Sequence, residues 1–393
     1  MHDIDYSQLD LMQARIKFVP DGWSFTYVGK AFSIRNNLRK PISQDVRGEN
    51  PGRYPYYGPT KIQGYIDTFE QDGSYALIGE DGDHFLKYES QSMTQLVDGK
   101  CTVNNHAHII EGTKLASRKW FYYYFMHRDI FSFLSRQGAG RYKLNKASLE
   151  KIPVLVPPAQ EQNKIAQILS TWDKAITTTE QLLANSQRQK KALMQQLLTG
   201  KKRLRDDHGM RFSKEWKTGD LSDIAMITKG KALSSKNLEQ GDYPVIAGGK
   251  KSPYTHNDYT HENAITVSAS GAYAGYVSFH PFRFWASDCS VIISKASSDT
   301  QFIYQLLTNL QKKIYSLQSG GAQPHVYPKD LQALRITYPS LSEQQKVSST
   351  LLIADAECKI LEQKLNHLRF EKKALMQQLL TGKRRVKVDE AAA

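Results

Sequence analysis

The stretch KKALMQQLLTGK occurs twice in this chain of 393 residues, as residues 190–201 and again as residues 372–383. The two copies begin 182 positions apart, and a shift of the chain by that distance extends the match upstream without a gap. The chain therefore consists of two halves, each with a variable block followed by a more constant block. Identical pairs include Pro157/Pro339, Glu161/Glu343, Gln162/Gln344, Lys164/Lys346, Leu169/Leu351, Asp173/Asp355 and Leu183/Leu365.

A weaker resemblance links the beginnings of the two halves. The segment GWSFTYVGKAF from Gly22 resembles EWKTGDLSDIA from Glu215, and YPYYG from Tyr54 resembles YPVIAG from Tyr243. The repeat therefore extends into the variable blocks, although most of their residues differ.

The constant block has the spacing of a long helix. After Pro157 and Pro339, each copy has ten successive positions that are spaced three or four residues apart. Apolar residues occupy seven of these positions in the first copy and nine in the second. Gly200 and Gly382 favour a left-handed end to each helix, and the cations that follow suit the negative end of the helix dipole. We expect two helices of about 39 residues, each ~60 Å long.

Such a sustained apolar stripe needs a partner helix. The simplest partner for one helix is the other, because two matched helices in one chain meet at high effective concentration. A coiled coil between separate chains is the alternative. The first helix has Thr179 and Ser186 where the second has Leu361 and Leu368, so its apolar stripe is weaker there.

The variable blocks have a mixed pattern. Residues 75–82 and 265–280 are typical of strands and tight turns, whereas residues 119–134 and 301–317 are typical of helices. The aromatic run from Trp120 to Phe133 has helical spacing, which favours a place in the core over base stacking.

The predicted fold class is α/β (α+β), with two mixed α/β domains separated by two long helices. We expect these helices to form an antiparallel coiled coil, which gives a pseudo-two-fold internal repeat. The boundaries follow the changes of pattern: a first variable domain with an N-terminal extension at 1–156, a helical repeat at 157–204, a second variable domain at 205–338 and a second helical repeat at 339–393.

The net charge of +14 is concentrated at the repeated helix ends. Residues 188–205 hold seven Lys or Arg and no acid, and residues 369–387 hold seven Lys or Arg and one acid. This distribution favours a polyanionic partner. No run of eighteen apolar residues occurs, so we expect a cytoplasmic protein without a membrane span. The three cysteines are far apart and are predicted to be buried free thiols.

The usual motifs of catalysis are missing from the sequence. It has no GxxxxGK[ST], no GxGxxG that opens a helix after a strand, no GxSxG and no HExxH. VPP at Val156 is not the Asp/Asn-Pro-Pro-aromatic loop of amino-methyltransferases. His106 and His108 lack a third ligand nearby, and the acidic turn 80–83 is interpreted as solvated. We therefore predict no catalytic residue and no metal site.

What remains in the variable blocks is a set of basic, aromatic and amide side chains on turns, which are the groups that read base edges and hold phosphates. Each alone is more simply a surface residue. Together, two non-identical domains on a rigid spacer are typical of a reader of two short DNA sequences at fixed separation. The candidates are Lys61, Tyr65, Arg141, Tyr142 and Lys143 in the first block, and Lys229, Lys231, Lys250, Lys251, Tyr254, Tyr273, Gln323 and His325 in the second.

The helix starts PPAQEQNKIAQIL and LSEQQKVSSTLL, together with the helix end ALMQQLLTGK, resemble those of the specificity subunit of type I restriction-modification enzymes. The resemblance covers essentially the whole chain. It implies two target recognition domains, each of which reads one half of a gapped site in double-stranded DNA, with the helices as a ruler. It also implies that this chain carries no catalytic residue and no cofactor.

The same resemblance implies the partners. Two methyltransferase subunits carrying S-adenosylmethionine dock on the repeats, and restriction subunits that use ATP and Mg join them. The expected partner-binding residues are Glu161, Gln162, Lys190, Lys191, Gln195 and Lys201 in the first repeat, and Glu343, Gln344, Lys372, Lys373, Gln377 and Lys383 in the second. A coiled-coil adaptor without direct DNA readout is the alternative function, and a stand-alone enzyme is disfavoured by the missing motifs.

Overall fold

A computed structural model describes residues 8–137, 141–249 and 254–388. Its contacts divide the chain into two units, the first drawn from Met1–Thr178 and Leu365–Ala393 and the second from Thr179–Lys364. Each unit therefore combines one variable block with segments of both long helices. By contacts, each long helix is divided between the two units.

The first unit is built on a six-stranded sheet with the order β2-β7-β5-β6-β3-β4. In this sheet β5 pairs antiparallel with both β6 and β7, and β3 pairs parallel with β6. The elements in chain order are α1 Gln8–Gln13, β1 Ser24–Tyr27, α2 Val28–Ala31, β2 Ser33–Ile34, α3 Gln44–Glu49, β3 Pro51–Tyr57, β4 Ile62–Ile66, β5 Gln71–Gly79, β6 Thr94–Val103, β7 Ala107–Glu111, α4 Arg118–Phe125, β8 Ser135–Gln137, β9 Arg141–Lys143, α5 Lys146–Glu150, β10 Pro153–Val156 and the long helix α6 Ala159–Leu197.

The second unit has a six-stranded sheet of the same plan, with the order β12-β17-β15-β16-β13-β14 and a parallel pair between β13 and β16. The weak resemblance between the two variable blocks is therefore confirmed as a shared topology. The elements are β11 Lys217–Asp220, α7 Leu221–Ile224, β12 Ala225–Lys229, β13 Tyr243–Ile246, β14 Thr255–His256, β15 His261–Ser268, β16 Val277–Ala286, β17 Cys289–Ser294, α8 Thr300–Asn309, α9 Gln311–Tyr315, α10 Pro328–Gln332, β18 Arg335–Tyr338 and the long helix α11 Leu341–Leu379.

The core of the first unit lies between its sheet and α4. Ala76 and Ile78 of β5 are fully buried in the same cluster as Trp120 and Phe121 of α4. Burial of a large apolar side chain such as that of Ile78 or Phe121 contributes about 1.5–3 kcal/mol to stability. The prediction that the aromatic run is core is confirmed for most of its residues, but Phe131 is half exposed.

Both predicted helices of the variable blocks are shorter than the sequence pattern indicated. α4 ends at Phe125, and the Met126 carbonyl accepts a hydrogen bond of 3.0 Å from the Met93 amide. In the second unit the pattern is divided at Leu310 into α8 and α9. The side chains of Ser117 and Asp299 cap the first turns of α4 and α8.

A two-stranded sheet brings the beginning of each variable block to the start of a long helix. β1 pairs antiparallel with β10, and β11 pairs antiparallel with β18. Because β10 and β18 directly precede α6 and α11, this pairing places Trp23 near the start of α6 and Trp216 near that of α11.

Both long helices have 39 residues, as predicted. In the first unit, the start of α6 shares a core with the end of α11, through residues such as Leu169 and Leu379. In the second unit, the end of α6 shares a core with the start of α11, through residues such as Leu197 and Leu351. The two helices are therefore antiparallel in each unit.

The two polar positions of the first helix are accommodated inside the coil. Thr179 and Ser186 are both buried, and Ser186 Oγ lies 3.5 Å from Cys358 Sγ. Across the part of the chain that the structure describes, no helix combines the length and the hydropathy needed to cross a membrane.

Candidate nucleic-acid interface

One edge of the first sheet gathers turns that carry polar and charged side chains. β5 ends there at Gly79, β6 ends at Val103, and β7 begins at Ala107. The β8–β9 hairpin is attached to this edge because the Leu144 amide donates to the Glu80 carbonyl at 2.7 Å. The sequence could not place the hairpin here, since 64 residues separate the two groups.

The three candidates of β9 lie on this hairpin. Arg141 is exposed, and the Tyr142 ring is 5.2 Å from the ring of Phe131. Lys143 Nζ lies 3.3 Å from Glu80 Oε1. The hairpin therefore presents a cation and an aromatic edge, while Glu80 partly balances the charge of Lys143. The interpretation of turn 80–83 as solvated is wrong for Glu80, because its side chain is only 13% exposed.

Lys61 and Tyr65 line an open groove of about 580 Å³ between α3 and β4. Gln44, Arg47 and Gln63 line the same groove and were missed from sequence. Arg47 is held over the Tyr56 ring at 4.5 Å, and the side-chain oxygen Oε1 of Gln63 accepts from Asn104 Nδ2 at 3.1 Å. These contacts fix the side chains in place, and only the folded arrangement of α3 over the sheet reveals them.

The corresponding edge of the second unit collects most of the second set of candidates. β12 ends there at Lys229, and the amide of Lys231 donates to the Ala286 carbonyl at 2.8 Å. Lys231 Nζ lies 5.1 Å from the centre of the Trp285 ring. Two cations are therefore placed where β12 and β16 end.

Backbone contacts between residues 270–271 and residues 324–325 bring three more candidates to this same edge, which are Tyr273, Gln323 and His325. The Gly271 amide donates to the Pro324 carbonyl at 3.1 Å, and His325 forms backbone bridges with Ser270 and with Ser319. The His325 ring stacks on Tyr327 at 6.0 Å. Tyr273 and Gln323 are exposed.

Tyr254 is exposed and lies beside β13. The amide of Val245 in β13 donates a hydrogen bond of 3.0 Å to the Tyr254 carbonyl. Lys250 and Lys251 lie outside the described residues. The structure thus gathers the described candidates of each unit at or near one sheet edge, and the side chains at the two edges differ.

Glu161 and Glu343, the candidates at the helix starts, are both buried. Each carboxylate is held by two hydrogen bonds from one arginine of its own unit, and we call this arrangement a clamp. Arg385 donates two hydrogen bonds of 2.8 Å to Glu161, and Arg203 donates two of 2.5 and 2.6 Å to Glu343. Each arginine follows the glycine that ends the other long helix. The hydrogen bonds that Arg385 donates to the Glu161 carboxylate hold the pKa of Arg385 above its usual range, although burial opposes this.

Trp23 and Trp216 complete the two clamps with one difference. Each arginine lies 5.8 Å from the centre of its tryptophan ring. Trp23 Nε1 also donates to Glu161 at 2.9 Å, whereas Trp216 Nε1 is buried with no partner among the described residues. The clamp of the second unit therefore depends more heavily on its arginine.

Gln162 and Gln344 tie the long helices to the capping residues of α4 and α8. The Gln162 oxygen accepts from the Ser117 amide at 2.9 Å, and the Gln344 oxygen accepts from the Asp299 amide at 3.0 Å. Both side-chain amides donate to the carbonyl of the proline before the helix, at 2.9 and 3.0 Å. Their repetition is explained by these internal bonds.

Lys190 and Lys372 form ion pairs between the two helices. Lys372 Nζ lies 2.5 Å from Asp173 Oδ1, and Lys190 pairs in the same way with Asp355. The Tyr123 hydroxyl also donates to Asp173, at 2.8 Å. Burial and the nearby Asp173 charge raise the pKa of Tyr123, so the phenol stays protonated.

The structure thus divides the twelve partner-binding candidates into two groups. Six have their polar atoms occupied inside the chain, because they form the clamps, the proline bonds and the interhelical ion pairs; these are Glu161, Gln162, Lys190, Glu343, Gln344 and Lys372. The other six are exposed in both repeats and remain candidates: Lys191, Gln195, Lys201, Lys373, Gln377 and Lys383.

The histidines of the first edge also have internal partners. His108 is buried between Asn36 and the Leu144 carbonyl, and His106 pairs with Asp81 at 2.8 Å. Within residues 8–137, 141–249 and 254–388, no three His, Cys, Asp or Glu side chains are grouped as they would be to hold a metal ion.

The model of the type I restriction modification DNA specificity domain matches this chain twice, over residues 20–185 and 213–369. The chain belongs to this family. The two matches coincide with the two structural repeats, and the chain is a type I restriction-modification specificity subunit.

Two relatives match most of this specificity subunit. A Haemophilus influenzae protein that carries the name "Putative type I restriction enzyme specificity subunit S.HindORF215P" is 27% identical over 81% of this chain and 84% of its own length. The type I restriction enzyme MjaVIII specificity subunit of Methanocaldococcus jannaschii is 23% identical over 94% of each chain.

The fold is shared with a solved specificity subunit. The crystal structure of the type I restriction-modification S subunit from M. genitalium superposes with a TM-score of 0.67 at 18% identity, covering 91% of this chain and 96% of that one. A chain from a study of complex assembly and conformational transition of the type I R-M system has a TM-score of 0.52 at 14% identity and covers 93% of this chain and 100% of that one.

Proposed function

We propose that this specificity subunit reads a bipartite, gapped site in double-stranded DNA, with one half-site recognised by each unit. The observation that carries the proposal is that two sheets of the same topology present corresponding edges with different polar side chains. Shared topology places the edges in the same way, while different side chains read different bases.

The clamps support the ruler part of the proposal. Each sheet is tied to the start of a long helix through a buried glutamine, and that start is tied to the end of the other helix by an Arg–Glu pair whose glutamate is buried. A site reader needs such rigid connections, because half-site spacing is set by the protein frame.

The chain itself acts without catalysis in this proposal. Two methyltransferase subunits bring S-adenosylmethionine, and restriction subunits bring ATP and Mg, so that methylation and cleavage belong to the assembled complex. The compartment is the cytoplasm. Partner docking falls to the exposed identical residues of the repeated helix ends, which are Lys191, Gln195 and Lys201 in one copy and Lys373, Gln377 and Lys383 in the other.

Mapping of methylated bases tests the DNA-reading function. The subunit is expressed with its methyltransferase in a host without other adenine methylation, and the genome is sequenced for modified adenine. We expect a single gapped motif. Methylation without sequence preference would refute the reading function and favour an adaptor.

Docking is tested by the variants Lys191→Glu and Lys373→Glu, each of which reverses one exposed charge in one repeat. We expect each to lose one of two methyltransferase copies in native mass spectrometry. Lys174→Glu is the matched control, because Lys174 is exposed on α6 outside the repeated stretch. Equal binding by all three variants would remove the repeated lysines from the interface.

A further inference from the structure

Glu80 lies between two cations at the candidate interface of the first unit. Its Oε1 is 3.3 Å from Lys143 Nζ, and its Oε2 accepts a hydrogen bond from Arg39 Nη1. The Glu80 side chain is only 13% exposed, and those of Arg39 and Lys143 are 20% and 30% exposed. The three groups form one largely buried ion cluster within the surface assigned to DNA.

The surrounding backbone fixes this cluster. Arg39 Nε donates to the Asn36 carbonyl at 3.2 Å, and the Leu144 amide donates to the Glu80 carbonyl at 2.7 Å. His108 lies next to the cluster, with its Nε2 3.9 Å from Glu80 Oε2. This Nε2 donates to the Leu144 carbonyl at 2.7 Å, and Nδ1 accepts from the Asn36 side chain at 2.8 Å. These two bonds are those of a neutral imidazole.

The charges of the cluster do not cancel. Burial alone would raise the pKa of Glu80, but the hydrogen bond from Arg39 and the positive groups around it hold that pKa below its ordinary value. Burial lowers the pKa of His108, so its ring adds no charge at neutral pH. Two cations and one carboxylate leave the cluster with a single net positive charge.

The second unit lacks this acid at the corresponding position. Its Val326 amide donates to the Ala269 carbonyl and its Gly271 amide to the Pro324 carbonyl, as Leu144 does to Glu80 and Gly82 to Tyr142 in the first unit. Glu80 thus corresponds to Ala269. The carboxylate is a feature of one recognition edge and is not required by the shared topology.

We infer that Glu80 is a specificity-determining residue of the first unit: its carboxylate withholds the charges of Arg39 and Lys143 from the phosphates of non-cognate DNA. This inference rests on the proposed DNA-reading function. Sequence-independent affinity comes mainly from cations that bind phosphates, so an acid that occupies two cations lowers this background. Discrimination then depends on contacts that only the cognate first half-site provides.

The variant Glu80→Gln tests the inference in the full subunit assembled with its methyltransferase. The amide keeps the shape and an acceptor for Arg39 but removes the charge. We expect affinity for non-cognate duplex to rise by about three- to ten-fold, and the salt dependence to steepen by about 0.9 for each cation released. Discrimination should fall for duplexes altered in the first half-site and remain for those altered in the second.

Two further variants control for charge and for folding. Glu111→Gln removes the same charge from an exposed pair with Arg35, away from this edge, and should change non-cognate binding far less. Glu80→Gln combined with Lys143→Met restores the net charge of the cluster and should bind non-cognate duplex more weakly than Glu80→Gln alone.

The results separate this inference from the function on which it rests. Two results would overturn the role of Glu80: equal gains in non-cognate affinity for Glu80→Gln and Glu111→Gln, or a parallel loss of cognate and non-cognate binding by Glu80→Gln. In either case the wild type would still methylate one gapped motif, so the reading function would stand. A wild-type complex with no sequence preference would refute the reading function and this inference with it.

Discussion

Removal of Arg203 or Arg385 should destabilise the start of one long helix and leave the stability of the other helix start unchanged. Each arginine is the bidentate partner of a buried glutamate, and loss of one member of a buried ion pair costs about 3–5 kcal/mol. Arg203 is 19% exposed against a Glu343 that is 2% exposed, so we expect about 3 kcal/mol for Arg203→Met.

The equivalent change in the first unit should cost less. Arg385 is 44% exposed, so solvent screens its interaction with Glu161. Glu161 also keeps the hydrogen bond from Trp23 after the arginine is removed, whereas the Trp216 indole donates to no described group. We therefore expect about 1–2 kcal/mol for Arg385→Met.

Native-state hydrogen exchange with mass spectrometry measures this effect locally. A loss of about 3 kcal/mol raises the population of the open form by about 100-fold, so amides in residues 341–351 should exchange correspondingly faster in Arg203→Met. Amides in residues 159–169 should be unchanged in that variant and accelerate only in Arg385→Met. Unchanged exchange, or equal acceleration of both segments by one variant, would refute the clamp as a local lock.

Two further predictions concern a glycine of the repeated stretch and a buried histidine. Gly382 and Gly200 share a φ of +69°, but a Cβ at Gly382 would meet the Pro20 ring at 2.2 Å while one at Gly200 would lie 3.4 Å from Trp216. Calorimetry should therefore show a larger fall in Tm for Gly382→Ala than for its control Gly200→Ala, in which only the backbone cost of about 1–2 kcal/mol remains. Burial lowers the pKa of His84 from 6.5 to about 4, so the unfolded chain binds more protons than the folded one in this interval; stability should fall as the pH drops from 6.5 towards 4, and His84→Gln should reduce that dependence in urea unfolding.

The long helices were predictable because their signal is local and repeated. A heptad over 39 residues, a proline before it and a glycine after it define each helix without tertiary information. The helices of the variable blocks were overestimated, because their ends are set by contacts such as the Met93 amide at the Met126 carbonyl. Sheet order also follows from long-range pairing and could not be read from the chain.

The candidate site was predictable in residue type and not in arrangement. Exposed cations and aromatics on turns were identified, yet the groove residues Arg47 and Gln63 depend on α3 folding over the sheet. The clamp arginines could have been found, because Arg203 and Arg385 are themselves a pair at the repeat distance of 182. Their partners lie at the start of the other helix, which the predicted antiparallel pairing brings close to them, but the pattern did not identify Glu161 and Glu343 as those partners.

The identity of the twelve repeated residues follows from where each helix ends. α6 ends in the core of the second unit, against the start of α11, and α11 ends in the core of the first unit, against the start of α6. The two helix starts share the Glu-Gln pair and the apolar positions that line these cores, so the same helix end fits both. Internal fit explains the repeated lysines of the ion pairs, the leucines and the glycines. It does not require Lys191 or Lys373, which are exposed in both copies, and their identity is what the proposed docking of one partner at both copies would demand.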